Sequence, residues 1–146
     1  MKNLAVAMLL LVGMIAVGCG SNNNNSSNIN GNWTASLTNG SGAQAFNFGT
    51  NIIVNSDGTL SFTSFSFTTN SSCFSSGETE SGTFGLMGNF NGNVNGTFGM
   101  TVSSSQPSGN TLVLNGTVSG KTIKGTWTLT GSAGCSGTGN FVMTQS

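Results

Sequence analysis

The side chains able to do chemistry are few, and their spacing restricts them further. The chain of 146 residues has no His, Arg or Tyr. Without His, a Ser or Cys nucleophile lacks its usual base. Three carboxylates are present. Glu78 and Glu80 are two residues apart and so share one face of a strand. Such a pair could suggest acid/base work, but it is also what a strand end near solvent looks like, and that reading is preferred. A glycosidase needs two carboxyls across a cleft, and Asp57, in a turn, is the only partner left. A Ser–Lys dyad would have to use Lys121 or Lys124, which read as exposed turn and strand-face positions. Calcium takes six or more oxygens, commonly from several acids, and no acidic cluster exists. The expectation is a chain that is no enzyme, with no catalytic residue, metal or cofactor.

Two sulfur positions carry the remaining chemistry. Cys73 and Cys135 are read as a disulfide pair, provided the chain is exported to an oxidising compartment. Zinc would need more ligands than two Cys in a chain without His. The third, Cys19, follows a short N-terminal apolar segment. Lys2 precedes an apolar run over residues 4–17. That run is shorter than the roughly 20 residues a spanning helix needs, and it suits the h-region of a signal peptide. Ala16-Val17-Gly18-Cys19 resembles the lipobox of bacterial lipoproteins, with Ala16 where that family prefers Leu. The resemblance implies cleavage after residue 18 and a diacylglyceryl thioether on Cys19, with palmitate-type chains. Two acyl chains give stable anchoring without a transmembrane helix, at about 0.8 kcal/mol per buried methylene. By the same analogy, Gly20 in place of Asp points to the outer membrane of the cell envelope.

Three segments follow: a signal peptide at 1–18, a lipidated Cys with a flexible Asn/Ser tether at 19–30, and a folded domain at 31–146. The mature part keeps two lysines against three acids, so its side chains sum to −1. Nucleic-acid binding needs a basic patch, and none is present. Ten Phe and two Trp, placed with regular spacing, argue against disorder despite the abundance of Gly, Ser, Asn and Thr.

From residue 31 onward the apolar residues alternate with period two. Trp33, Ala35 and Leu37 form one face, and Phe46, Phe48, Ile52 and Val54 another. Asn55-Ser56-Asp57-Gly58 is a hairpin turn. Leu60 and Phe62 share one parity, whereas Phe65 and Phe67 have the other, which predicts a bulge near Thr63-Ser64. A loop over 70–77 carries Cys73. Gly82, Phe84 and Leu86 alternate before a turn at 88–93. Further strands contain Val94 to Val102, Leu112 to Val118, Ile123 to Leu129, and Phe141 with Met143. A loop at 103–110 holds the only Pro, and Ser119-Gly120 is a tight turn. Gly82-Thr83-Phe84, Gly96-Thr97-Phe98, Gly116-Thr117-Val118 and Gly125-Thr126-Trp127 repeat an inward Gly beside an outward Thr. Inward Gly lets strands bend or approach, as at the corners of a small barrel.

Eight strands joined by turns predict an all-β fold, an eight-stranded antiparallel up-and-down β-barrel, with a β-sandwich as the alternative. In a meander the loops after strands 1, 3, 5 and 7 share one end. Both cysteines then lie at that end, and a Cys73–Cys135 bond would form a strap across the mouth. The tether lies at the other end. Gly31-Asn32-Trp33 resembles the Gly-x-Trp of lipocalins and other calycins, which implies a Trp plugging the closed end and a calyx for a small hydrophobic ligand. Phe46, Phe48, Phe62, Phe84, Phe98, Met100 and Leu114 would line that site. An eight-stranded barrel can equally be filled by its own side chains. The filled form is preferred, with the long distal loops contacting another envelope component. Inward Gly82, Gly96, Gly116 and Gly125 are the feature that would leave room for a ligand.

Overall fold

The alternation is realised as a closed antiparallel barrel in a computed structural model that describes residues 29–69, 71–90, 92–105 and 109–146. The expected signal peptide, Cys19, most of the expected tether and Pro107 lie outside the described residues. The strands are β1 (Gly31–Asn39), β2 (Gln44–Val54), β3 (Thr59–Phe67), β4 (Glu78–Phe90), β5 (Asn93–Ser104), β6 (Thr111–Ser119), β7 (Thr122–Thr130) and β8 (Gly137–Gln145). Each pairs with its neighbours in sequence, and β8 closes on β1. A 3-10 turn, Ser72–Phe74, lies between β3 and β4. The barrel prevails over the sandwich because the β1–β8 ladder runs from Trp33↔Gln145 to Asn39↔Gly139 and leaves neither terminal strand as an edge.

The inward face carries Trp33, Leu37, Phe48, Ile52, Met100, Leu112, Leu114, Ile123, Phe141 and Met143, all essentially removed from water. Burying each such side chain contributes about 1.5–3 kcal/mol. Thr, Asn and Ser fill the outward positions, so backbone polarity is met in the ladders and the exterior is wetted by hydroxyls and amides.

The bulge in β3 is where the parity switch placed it. Gly49 pairs with Ser66 and Asn51 with Thr63, so β3 carries one extra residue. Ser64 takes it up at φ 54°, the one non-glycine with positive φ among the described residues. The extra residue turns Phe65 and Phe67 toward the barrel. Two sequence boundaries shift. The turn expected at 88–93 shortens, because Gly88 pairs with Asn95 and β4 runs on to Phe90. A register shift between Leu86 and Gly88 accommodates Met87. The tether also ends earlier than its composition suggests. Ile29 is fully buried, its carbonyl accepts the Trp33 indole N–H at 2.7 Å, and the Asn30 side chain accepts the Val54 N–H at 2.8 Å. A buried indole N–H needs an acceptor, and the chain just before β1 supplies it.

Candidate functional site

The interior positions come first, because the sequence left them ambiguous. Phe46, Phe48, Phe84, Phe98, Met100 and Leu114 are buried in one continuous core, with Phe62 half-buried against it. The inward glycines are occupied rather than empty. A Cβ on Gly82 would lie 2.9 Å from the Phe62 ring, and one on Gly96 would lie 2.4 Å from the Phe84 ring. On Gly116 it would lie 2.9 Å from the Phe141 ring. Gly125 is closed by backbone, with the Asn115 carbonyl 2.0 Å from its Cβ position. Each aromatic ring therefore uses the seat that a neighbouring glycine vacates. Backbone shares that space, with the Gly99, Gly85 and Lys124 carbonyls 2.5, 2.6 and 2.5 Å from the Cβ positions of Gly82, Gly96 and Gly116.

Toward the near end Trp33 is buried beneath the entering chain, hydrogen-bonded to Ile29. The far end is closed by a strap. Cys73 and Cys135 are disulfide-bonded, with their Cα atoms 5.7 Å apart. The bond joins the β3–β4 loop to the β7–β8 loop across the mouth. Asn110 reinforces it from the β5–β6 side. Its amide donates to the Cys73 carbonyl at 2.8 Å, and its Oδ1 accepts the Ser132 N–H at 2.8 Å. Asn110 is 5 % exposed, so one side chain clasps three loops where water cannot compete. Gly131 must be glycine here, since a Cβ would lie 2.0 Å from the Asn110 Oδ1. Nothing in the local sequence marks Asn110; its role exists only once the three loops meet.

The wall has one weak seam. β3 and β4 pair only at Thr59↔Thr83 and Leu60↔Gly82, while β4 pairs with β5 along its whole length. Beyond Leu60 the bulge bends β3 away, and the seam opens toward the far end. A groove of about 460 Å³ occupies the opening, lined by Phe65, Ser66, Phe67, Thr68, Thr69, Ser71, Phe74, Ser75 and Glu78. Its floor is a linked set of rings. Phe65 meets Phe48 at 4.9 Å and Phe67 edge-on at 5.1 Å, and Phe67 stacks on Phe74 at 5.2 Å. Phe74, from the 3-10 turn, is buried beneath the disulfide strap.

The opposite wall carries Glu78. Glu78, Glu80, Gly82 and Phe84 share the inward parity of β4, opposite Ser104, Val102, Met100 and Phe98 of β5. The two acids thus lie on the inner side of the seam, and not simply at a solvated strand end. Partial burial, followed by the neighbouring charge of Glu78, raises the Glu80 carboxyl above its ordinary range. Asp57 lies at the other end. It accepts the N–H and hydroxyl of Thr59 at 2.9 and 2.6 Å, and these bonds hold its carboxyl below the ordinary range. Comparison of the chain with protein families, curated proteins and solved structures finds no match. The reading of the site therefore rests on its geometry.

Of the sequence-predicted positions, the structure joins Cys73 to Cys135 and gathers the seven proposed lining residues in the core. The groove residues Phe65, Phe67, Phe74 and Ser71 were not among them. The parity switch in β3 was the available signal, because it turns two Phe toward a strand junction that the bulge also weakens.

Proposed function

We propose that this chain is a lipid-anchored protein of the bacterial cell envelope, outer-membrane sorted, with a non-enzymatic structural or interaction role performed by its far end. The observation that carries the reading is the packing of rings against the inward glycines. Phe62, Phe84 and Phe141 seated over Gly82, Gly96 and Gly116 favour a rigid scaffold over a carrier of apolar ligands. The three acids also support a non-enzymatic role: Glu78 and Glu80 share one strand face, while Asp57 is engaged in a turn at the opposite end.

The placement of the remaining surface fits attachment through Cys19. The chain enters the barrel at Gly31, beside the turns at 55–58 and 120–121. Ile53, Leu86 and Met87, three of the four large exposed apolar side chains among the described residues, lie in that half. Met87 is 67 % exposed. Lys121 lies in the turn at the same end. An apolar end, on which Lys121 and Asp57 balance in charge, suits acyl chains, leaving the strapped end and its groove facing away from the membrane.

Two measurements test the proposal. The full chain, expressed in a Gram-negative host with labelled palmitate, should carry label and fractionate with membranes, and Cys19→Ala should abolish both. Label that persists in Cys19→Ala, or a soluble wild type, defeats the anchor. Residues 21–146, exported to a periplasm, should give a native mass equal to the bare chain less the hydrogens lost in the disulfide. A lipid-sized adduct released on denaturation would favour the carrier reading instead.

A further inference from the structure

The β4–β5 hairpin stands out past the rim of the barrel. β3 begins at Thr59, opposite Thr83, and the turn before it reaches Phe84, whose N–H donates to the Gly58 carbonyl at 2.8 Å. β4 continues to Phe90, and among the described residues no strand pairs with its β3-facing edge beyond Phe84. That overhang is on the order of 20 Å of strand, at about 3.3 Å per residue. On the other side β6 ends at Ser119, opposite Asn95, and the Gly120 N–H donates to the Val94 carbonyl at 2.8 Å. β4 runs antiparallel to β3, so the overhang lies at the end where the chain enters at Gly31.

Two side chains on this overhang are apolar and unburied. Leu86 keeps the inward parity of Phe84, yet it is 49 % exposed, because Gly96 stands across from it and β3 no longer covers it. Met87 is the residue that the register shift adds, and it is more exposed still. From Gly85 to Asn95 the sequence has no charged residue. Single exposed apolar residues are ordinary; here a projecting, uncharged element carries two. Where the preceding chain leads decides what covers them. Ile29 is buried at this end, and Cys19 lies ten residues before it, a span of at most about 35 Å even when fully extended. An acylated Cys19 therefore holds this end, and the overhang with it, close to the bilayer.

We propose that the β4–β5 hairpin is a second membrane contact, which rests Leu86 and Met87 at the headgroup–acyl boundary of the bilayer that holds Cys19. The inference deepens the lipid-anchor reading and rests on it. The depth follows from the backbone. An unpaired strand edge does not enter hydrocarbon, where each N–H and C=O without a partner is costly. The hairpin therefore stops in the interfacial region, where water and headgroups satisfy the β4 edge and the apolar side chains reach the acyl boundary. The hairpin is uncharged, and Lys121 balances Asp57 at this end, so the contact needs no anionic lipid. A tether alone leaves a barrel free to turn. A second contact fixes it end-on, with the strapped mouth outward.

The test uses the full lipidated chain in vesicles of phosphatidylcholine, a zwitterionic lipid. With Cys19 acylated and Cys73 bonded to Cys135, an introduced cysteine is the free thiol that takes a nitrobenzoxadiazole label. Met87→Cys carries the label on the overhang, and Thr128→Cys carries it on the exposed face of β7 toward the strapped end. Both should melt as the wild type does, and Leu86→Cys repeats the reading at the neighbouring position. Vesicle flotation is scored first, and a chain that fails to float defeats the anchor and this proposal together. In a floating chain, phospholipid bearing a nitroxide high on its acyl chain should quench the label at 87 at least about threefold more than the label at 128. A nitroxide near the bilayer centre should quench it less. Equal, weak quenching of both labels overturns the proposal and leaves the anchor standing. So does a label at 87 that is shielded from aqueous iodide but not quenched by lipid, which would place a second copy there. Strong quenching of both labels means a barrel lying on its side, and overturns it too.

Discussion

Substituting Gly96 by Ala adds one methyl group where the barrel has no room for it. The added Cβ would lie 2.4 Å from Phe84 Cε2 and 2.6 Å from the Gly85 carbonyl. Real Cβ contacts do not come this close, so the Phe84 ring and the β4 backbone must both move. In the filled-barrel argument the ring cannot swing inward, because Phe98, its cross-strand neighbour, and Met100 are both buried beside it. Overpacking of this kind costs about 1–3 kcal/mol. Against it stands the gain of about 0.5–1 kcal/mol from removing Gly from a strand interior. The net expectation is a loss of about 1–2 kcal/mol, or roughly 4–10 °C in melting temperature for a domain of this size. Both Trp33 and Trp127 are buried, so urea unfolding followed by tryptophan fluorescence reports the loss directly. Phe84→Leu in the same background should recover part of it, and the coupling measured by the double-mutant cycle should be favourable. In a hollow barrel the ring relocates into the cavity, so only the Gly85 carbonyl contact opposes the propensity gain and Phe84→Leu recovers nothing. Wild-type or greater stability of Gly96→Ala would therefore refute the filled-barrel argument.

Other perturbations probe the strap, the bulge and the carboxylates. Cys73→Ser opens a covalent loop with a sequence separation of 62 and should cost up to about 4 kcal/mol by the chain-entropy estimate. The loss should be visible in thermal melts and matched by reducing the wild type. Ser64→Gly relieves a positive φ of 54° and should stabilise by about 0.5–1 kcal/mol; a destabilised variant would mean that the side chain holds the bulge. Glu80→Gln should raise the melting temperature at neutral pH. Because the folded carboxyl is held above its ordinary 4.5, the folded state binds the proton more tightly, and stability falls as pH rises from that value through the folded one. The gain in Glu80→Gln should thus vanish below about pH 4. Asp57 has the opposite sign: its lowered carboxyl favours folding above 3.8, and that contribution is lost as pH falls below it.

The barrel was legible in the sequence because its signals are local. Period-two alternation from Trp33 to Met143, turn residues at Asp57-Gly58 and Ser119-Gly120, and the parity switch between Phe62 and Phe65 each depend only on neighbours in the chain. Meander topology then placed Cys73 and Cys135 at one end by counting strands. The resemblance of residues 16–19 to a lipobox is likewise read from sequence alone. Three matters were decided only by tertiary structure. An inward glycine is a seat or a vacancy depending on which ring from the adjacent strand reaches it, and that follows from register; Phe84 and Phe141 reach Gly96 and Gly116. Asn110 became a clasp because three loops, distant in sequence, converge on its amide. The groove arose where a bulged β3 parts from β4 beyond their two paired positions. Periodicity places side chains on faces. It does not say which two faces meet across a seam, and the candidate site is made at that meeting.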